Sequence, residues 1–190
     1  MTGSDLPAAS ALNQSSTNFD YVDSFHAEFT DKRDSIDIFV LGEMFAQPGP
    51  KWFEALLAIR NKIASRFSLK TSAKPSETRT LGRRNWEIGE QVGIFRVFGK
   101  HRNELVLGEN DRHLNFRVSL LLSEDTTDPT RKFYTVSTAV EFNNRLGRWY
   151  FAIVKPFHRL IVPLMIKRGL AKIRREHRDA RGLPVAPQRI

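Results

Sequence analysis

Five histidines are the residues with which this chain could do acid–base or metal chemistry: His26, His101, His113, His158 and His177. None stands in an HxH, HExxH or HxxxH spacing, so no local segment brings two imidazoles to one metal ion. A site gathered from distant parts of the chain stays open. Cysteine is absent, which removes thiolate ligands, cysteine nucleophiles and disulfides together. No GxSxG elbow and no phosphate-cradling glycine loop occurs; Gly89, Gly93 and Gly99 punctuate strand-like runs instead. No metal and no cofactor is assigned.

Two of the histidines carry the chemistry that remains. Asp111 and His113 share one side of a strand, where a carboxylate could orient an imidazole for proton transfer. The same pair suits the polar end of a hairpin, since turns select Asp and Asn. His158 follows Pro156 and Phe157 in a helical stretch, where it either faces a ligand or flanks an apolar stripe with its ring partly solvated. Phe19, Phe25, Phe95, Phe116, Phe142 and Phe157 serve equally as plain core or as the lining of an apolar cavity. Arg60 reads as a snorkelling edge residue of a helix.

The chain that must position these residues has 190 of them, 41% apolar and 27% charged, which predicts one soluble globular domain. The absent cysteines and an N-terminus with neither a basic start nor an apolar stretch predict a reducing, cytoplasmic setting. The net charge of +9 is concentrated at one end: from Arg145 to Ile190 twelve Lys/Arg stand against Glu176 and Asp179. Such a run is a solvated helix face or a contact for an anionic partner.

Residues 1–18 read as a disordered lead, 19–178 as one domain, and 179–190 as a flexible tail. Tyr21, Phe25, Ala27 and Phe29 alternate as in a strand. Asp34 reads as the N-cap of a short apolar helix over 36–45, and Trp52, Leu56, Ile59, Ile63 and Phe67 give a second helix. Residues 68–86 form a polar connection. Strand-like runs follow at 92–98, 104–108, 113–122 and 133–142, and their short loops predict an antiparallel meander. With Asn110-Asp111 at a hairpin centre, Leu107 faces Leu114, Leu105 faces Phe116, and Glu104 faces Arg117 on an outer surface of alternating charge; the loop before it sets Phe95 and Val97 inward, opposite Leu107 and Leu105. The last element is helical from about Leu146 to Arg178, with an apolar stripe of Tyr150, Ile153, Phe157, Leu160, Ile161 and Leu164. Pro156 and Pro163 bend it, or two helices meet near Pro156. Lys155, His158 and Arg159 within 149–166 argue against a membrane span.

This order of elements is α+β. Together with DYVDSF (20–25), WFEALLAIRNKI (52–63), LVLGENDRHLNFRVS (105–119) and NRLGRWYFAIVKPFHRLIV (144–162), it resembles a bacterial family, domain of unknown function number 2867, and the helix-grip fold of the START/SRPBCC superfamily. It departs from that family's pattern at Asn110 and Asn115, where acidic residues are more frequent. The resemblance implies a curved antiparallel sheet wrapped around a long C-terminal helix, with an apolar cavity between them. It transfers a fold and a pocket, not a reaction.

Three functions follow as expectations. The leading one is a binding module for a small apolar or amphipathic molecule, with Tyr150, Ile153, Phe157, His158, Phe95, Phe116 and His113 at the ligand and residues 68–86 as a lid. The second is an enzyme on the same scaffold using His113, Asp111 or His158. The third is association with a membrane surface or partner through the basic C-terminal helix, expected to be weak and salt-sensitive, without sequence preference for nucleic acid.

Overall fold

The computed structural model describes residues 2–3, 5–46, 86–92 and 95–179, with side chains between 5 and 175. The second helix expected over 52–67, Arg60, the connection up to residue 85 and the tail beyond 179 lie outside the described residues. Among those described, the elements are β1 (Thr2–Gly3), a 3-10 turn (Ala11–Gln14), β2 (Tyr21–Thr30), α1 (Ile38–Phe45), β3 (Gln91–Val92), β4 (Phe95–Lys100), β5 (Glu104–Asn110), β6 (Leu114–Glu124), β7 (Arg131–Phe142) and α2 (Arg145–Asp179). The strands form one sheet in the order β1-β2-β7-β6-β5-β4-β3, antiparallel throughout. The protein is α+β, an antiparallel sheet with a long C-terminal helix, an arrangement consistent with a helix-grip fold.

Alternation sets the two faces of the sheet. Phe25 and Phe29 on β2, Val97 on β4, Leu105 and Leu107 on β5, Val118, Leu120 and Leu122 on β6, and Tyr134 and Val136 on β7 all enter the main core. α1 and α2 close this inner face. From α2, Val162, Ile166, Leu170 and Ile173 are buried in that core, each stabilising by roughly 1.5–3 kcal/mol. α2 runs unbroken through Pro156 and Pro163, so the two-helix alternative is not adopted.

α1 starts at Asp37, whose carboxylate accepts from Val40 N at 2.8 Å, not at Asp34. Asp34 has a left-handed backbone (φ 49°), outside the extended range of an N-cap, and its carboxylate is bonded to Lys132 Nζ. Nearby Asp31 accepts from the N–H groups of Ser35 (2.9 Å) and Ile36 (2.7 Å). Burial alone raises the Asp31 pKa, but the Ile36 and Arg33 N–H groups, Lys132 and Ser35 N–H outweigh it and hold the carboxyl below its usual range.

The β5–β6 hairpin turns two residues later than Asn110-Asp111. Leu105 pairs with Leu120, Leu107 with Val118, Glu104 with Leu121 and Gly108 with Arg117. An even displacement leaves every side chain on its expected face, because the side-chain period is two. β4 against β5 is also displaced, with Val97 opposite Leu107 and an irregularity between Val97 and Gly99.

The outer face is not the open charged surface that alternation predicts, because part of the 1–18 lead packs against it. Leu12, with Leu6, Ala11 and Phe19 around it, packs on Val106, Ala139, Val22 and Phe98 in a second apolar cluster. Glu104, only 3% exposed, is the polar tie: its carboxylate accepts from Ser10 Oγ (2.7 Å), Ala11 N (2.7 Å) and Ser119 Oγ. Arg117 stacks on Phe98, 3.6 Å from the ring centroid, and donates to Phe116 O and Asn110 Oδ1, a structural role as its outward position predicts. Leu12→Ala is expected to lower stability by about 2 kcal/mol, the low end for a buried leucine. A urea midpoint unchanged by Leu12→Ala would mean that the segment does not pack in solution.

Candidate functional site

β2 alternates Tyr21, Asp23, Phe25, Ala27 and Phe29 toward the inner face, and one of these is a carboxylate in an apolar row. Asp23 is 2% exposed. A buried carboxylate is costly unless hydrogen-bonded, and Asp23 has two partners. Tyr21 Oη donates to Oδ2 at 2.6 Å, and His158 Nε2 lies 3.2 Å from Oδ1. Across the strand pair, Asp23 is in register with Thr138 of β7, whose Oγ1 is buried without a partner among the described residues. Phe25 meets the His158 ring edge-on at 6.4 Å between centroids.

The cluster has a cationic border. Lys155 Nζ stands 4.6 Å over the Tyr21 ring. Burial, then the hydrogen bond and charge of Asp23, push the Tyr21 pKa well above the ordinary phenol range, and the Arg159 charge opposes this only in part. Tyr21 is therefore held as a donor. When His158 carries its proton on Nε2 it donates to Asp23, and Nδ1 is left as the acceptor of a ring oriented by a carboxylate. That arrangement can anchor a polar group of a ligand or exchange a proton with it.

The residues expected at the ligand part company in space. His158 faces the sheet. Ile153 and Phe157 do not: they are 46% and 44% exposed, on the outward side of α2. The buried line of the helix is Phe151, Val162, Ile166, Leu170 and Ile173, so the expected stripe is rotated away from the sheet. Tyr150 is half-buried against the small cluster of Leu114, Val140 and Phe151. Phe95 and Phe116 are half-buried on the inner face, their ring centroids 6.1 Å apart, with Phe45 5.7 Å from Phe95. Of the other phenylalanines, Phe25 is core, Phe19 belongs to the outer cluster and Phe142 packs on Phe151.

His113 and Asp111 form the hairpin end, the structural alternative for that pair. His113 Nδ1 is 3.0 Å from Asn144 Nδ2, and Asn144 Oδ1 accepts from Gly147 N at 3.1 Å, capping α2. Asn144 Nδ2 also donates to Arg112 O at 3.1 Å. His113 thus fastens the first turn of α2, and His158 sits roughly 16 Å further along the helix at about 1.5 Å per residue. The two histidines do not share a site. Trp86, the last residue of the expected lid, is a core residue, 1% exposed.

Sequence reasoning missed Asp23 as a site residue, although the motif DYVDSF contains it. The available signal was a carboxylate in phase with Tyr21, Phe25, Ala27 and Phe29 on a strand whose other inward residues are apolar or aromatic. Among the described residues no group of three or more His, Asp or Glu could hold a metal ion. A void of about 10 Å³ lies between α1 and the second half of α2, lined by Leu41, Phe45, Tyr134 and Ile166 among others, with room for about one water.

The sequence pattern of the family described as "Protein of unknown function (DUF2867)" matches residues 15–165. The chain belongs to this family. The match takes in β2 with Tyr21 and Asp23, the whole of the sheet after it, and α2 through His158 and Val162. No curated protein and no solved structure matches the chain. For this DUF2867 member, function has to be argued from the cluster on the inner face.

Proposed function

We propose that this DUF2867 protein is a cytoplasmic small-ligand-binding domain, related to the START/SRPBCC helix-grip superfamily, that holds an apolar or amphipathic molecule against the inner face of its sheet. The reading rests on one observation: the Tyr21–Asp23–His158 cluster is a polar group set into an apolar surface, with Thr138 Oγ1 beside it unpartnered among the described residues. Binding sites for small molecules have this composition, a mostly apolar wall with a few convergent polar groups. Asp23 and His158 orient the polar end of the ligand, and Phe25, Phe95 and Phe116 supply apolar wall. Tyr150 and His113 serve by holding α2 in place; Ile153 and Phe157 are left out of the site because they point away from it.

Native mass spectrometry of freshly purified protein, followed by titration with a fluorescent fatty-acid analogue, tests this. Asp23→Asn and His158→Gln are each expected to weaken probe binding about tenfold, 1.4 kcal/mol, while His113→Gln leaves it within about twofold. If no small molecule co-purifies and the probe does not bind, the proposal fails. A second reading, an acid–base enzyme, draws on the same carboxylate-oriented imidazole, with His158 Nδ1 as the base in place of His113. Recovery of a chemically altered ligand from wild type, and of the unaltered one from His158→Gln, would favour it.

A further inference from the structure

Trp149, Ile153, Phe157 and Leu160 are 74%, 46%, 44% and 59% exposed, four of the six large apolar side chains that stand open among the described residues. Their spacing of four, four and three puts them in one line along the outward side of α2. Beyond Leu160 the outward positions become cationic: Lys167, Arg168, Arg174 and Arg175 are all exposed. Arg145 and Arg159 are exposed on one flank. From Arg145 to Arg175 the helix contains no Asp or Glu. One side of α2 is therefore apolar over its first half and positive over its second, and its acidic residues, Glu176 and Asp179, come only after Arg175.

One stretch of the helix is also apolar overall. Mean hydropathy reaches 1.2 over an 18-residue window, of which only 17% is buried. A transmembrane placement does not fit, because Phe151, Val162 and Ile166 are packed on the sheet and Lys155 and Arg159 fall inside the stretch. A helix lying in the plane of the interface does fit: apolar side chains enter the boundary between headgroups and acyl chains, and cations meet the lipid phosphates.

We infer that the outward side of α2 docks on an anionic lipid bilayer, with Trp149, Ile153, Phe157 and Leu160 in the headgroup–acyl boundary and Arg159, Lys167, Arg168, Arg174 and Arg175 over the phosphates. Charge selects this occupant. A second copy packed parallel on this face would set cations against cations, which costs several kcal/mol for close like-charge contacts, and one packed antiparallel over the apolar half would leave both cationic halves without a counter-charge. An anionic bilayer complements every one of them, at about 1 kcal/mol per charge near the surface. Tryptophan at the end of an apolar line also suits the bilayer boundary, where an amphipathic ring has one side apolar and one wet. The ligand site is on the opposite side of the same helix, so a docked domain keeps it clear of the bilayer, and neither proposal depends on the other.

Co-sedimentation of the full chain with vesicles of phosphatidylcholine and phosphatidylglycerol in equal parts, and with vesicles of phosphatidylcholine alone, tests the inference. Wild type is expected on the mixed vesicles and not on the neutral ones. Joint replacement Ile153→Ser and Phe157→Ser, at exposed positions whose change leaves the far-UV circular dichroism unaltered, is expected to weaken binding at least about tenfold. Lys167→Glu with Arg168→Glu is expected to do the same. Tryptophan emission is expected to shift to the blue on the mixed vesicles, and Trp149→Phe to remove that shift. No binding to mixed vesicles overturns the inference. So does binding that is lost in high salt yet indifferent to the serine pair, which assigns it to basic charge alone. A concentration-dependent dimer dissolved by the serine pair assigns the face to a second copy instead.

Discussion

Replacing Trp86 by alanine is expected to destabilise the protein by about 4 kcal/mol, in the range for emptying a fully buried aromatic site. Trp86 is 1% exposed and is the largest of the fully buried side chains among the described residues. It enters the core from a left-handed backbone conformation (φ 54°), one a bulky residue adopts only when its surroundings hold it there. The space it fills is set by a glycine: a Cβ on Gly42 of α1 would come within 2.9 Å of Trp86 Cζ2 and 2.8 Å of Leu105 Cδ1. The indole thus fits between α1 and β5 where α1 has no side chain, and alanine leaves a cavity that the helix can collapse into only by moving off the sheet. With total stabilities of about 5–15 kcal/mol, this single change removes a large share. The measurement is the urea unfolding midpoint followed by circular dichroism. A loss under about 1 kcal/mol would show that the core relaxes around the site and that the contact is less specific than it looks.

Gly147→Ala is expected to cost about 3 kcal/mol, the reverse of what helix propensity predicts. In a helix, alanine is better than glycine by about 1 kcal/mol. At Gly147 that gain is overridden: a Cβ would lie 2.0 Å from the carbonyl oxygen of His113 and 2.8 Å from its carbon, and backbone atoms cannot swing aside as a side chain can. The first turn of α2 must then lift from the β5–β6 hairpin and strain the Asn144 bonds to His113 and Arg112. Gly169→Ala is the control, in the same helix. Its nearest contact is Met44 Cε at 3.0 Å, the far end of a flexible side chain, so the outcome there is within about 0.5 kcal/mol of neutral or better. Chemical denaturation of both variants decides it; Gly147→Ala as stable as wild type would mean that helix and hairpin are not in contact. Because α2 carries His158, the same variant is expected to weaken the fatty-acid probe even where it remains folded.

Strand positions and faces were legible in the amino-acid sequence because the alternation of period two is local. Tyr21, Phe25 and Phe29, or Leu105 and Leu107, declare their side of the sheet without reference to any other strand. The long C-terminal helix was legible too, since its apolar content outlasts two prolines and ends in a charged run. The family match, over residues 15–165, takes in those strands and the first part of that helix.

What only the tertiary structure decided are the features that need two distant segments at once. The hairpin register depends on where the chain reverses, and a turn two residues later than Asn110-Asp111 leaves the same faces, so alternation could not exclude it. The roll of α2 depends on which of its apolar lines meets the sheet. Phe151, Val162, Ile166, Leu170 and Ile173 compete with Trp149, Ile153, Phe157 and Leu160, and both lines have helical spacing. The packed line is the longer: it carries His158 to Asp23 and reaches past Lys167, where the other becomes charged. Residues 5–19 show no periodicity of their own, and their place on the outer sheet face follows from Glu104, whose carboxylate accepts a hydrogen bond from Ser10, nowhere near it in sequence. The candidate site has the same origin. Asp23, Tyr21 and His158 are ordinary residues of a strand and a helix until the rotation of α2 sets the imidazole over the carboxylate, because a polar group in an apolar layer has to be satisfied by whatever the fold brings to it.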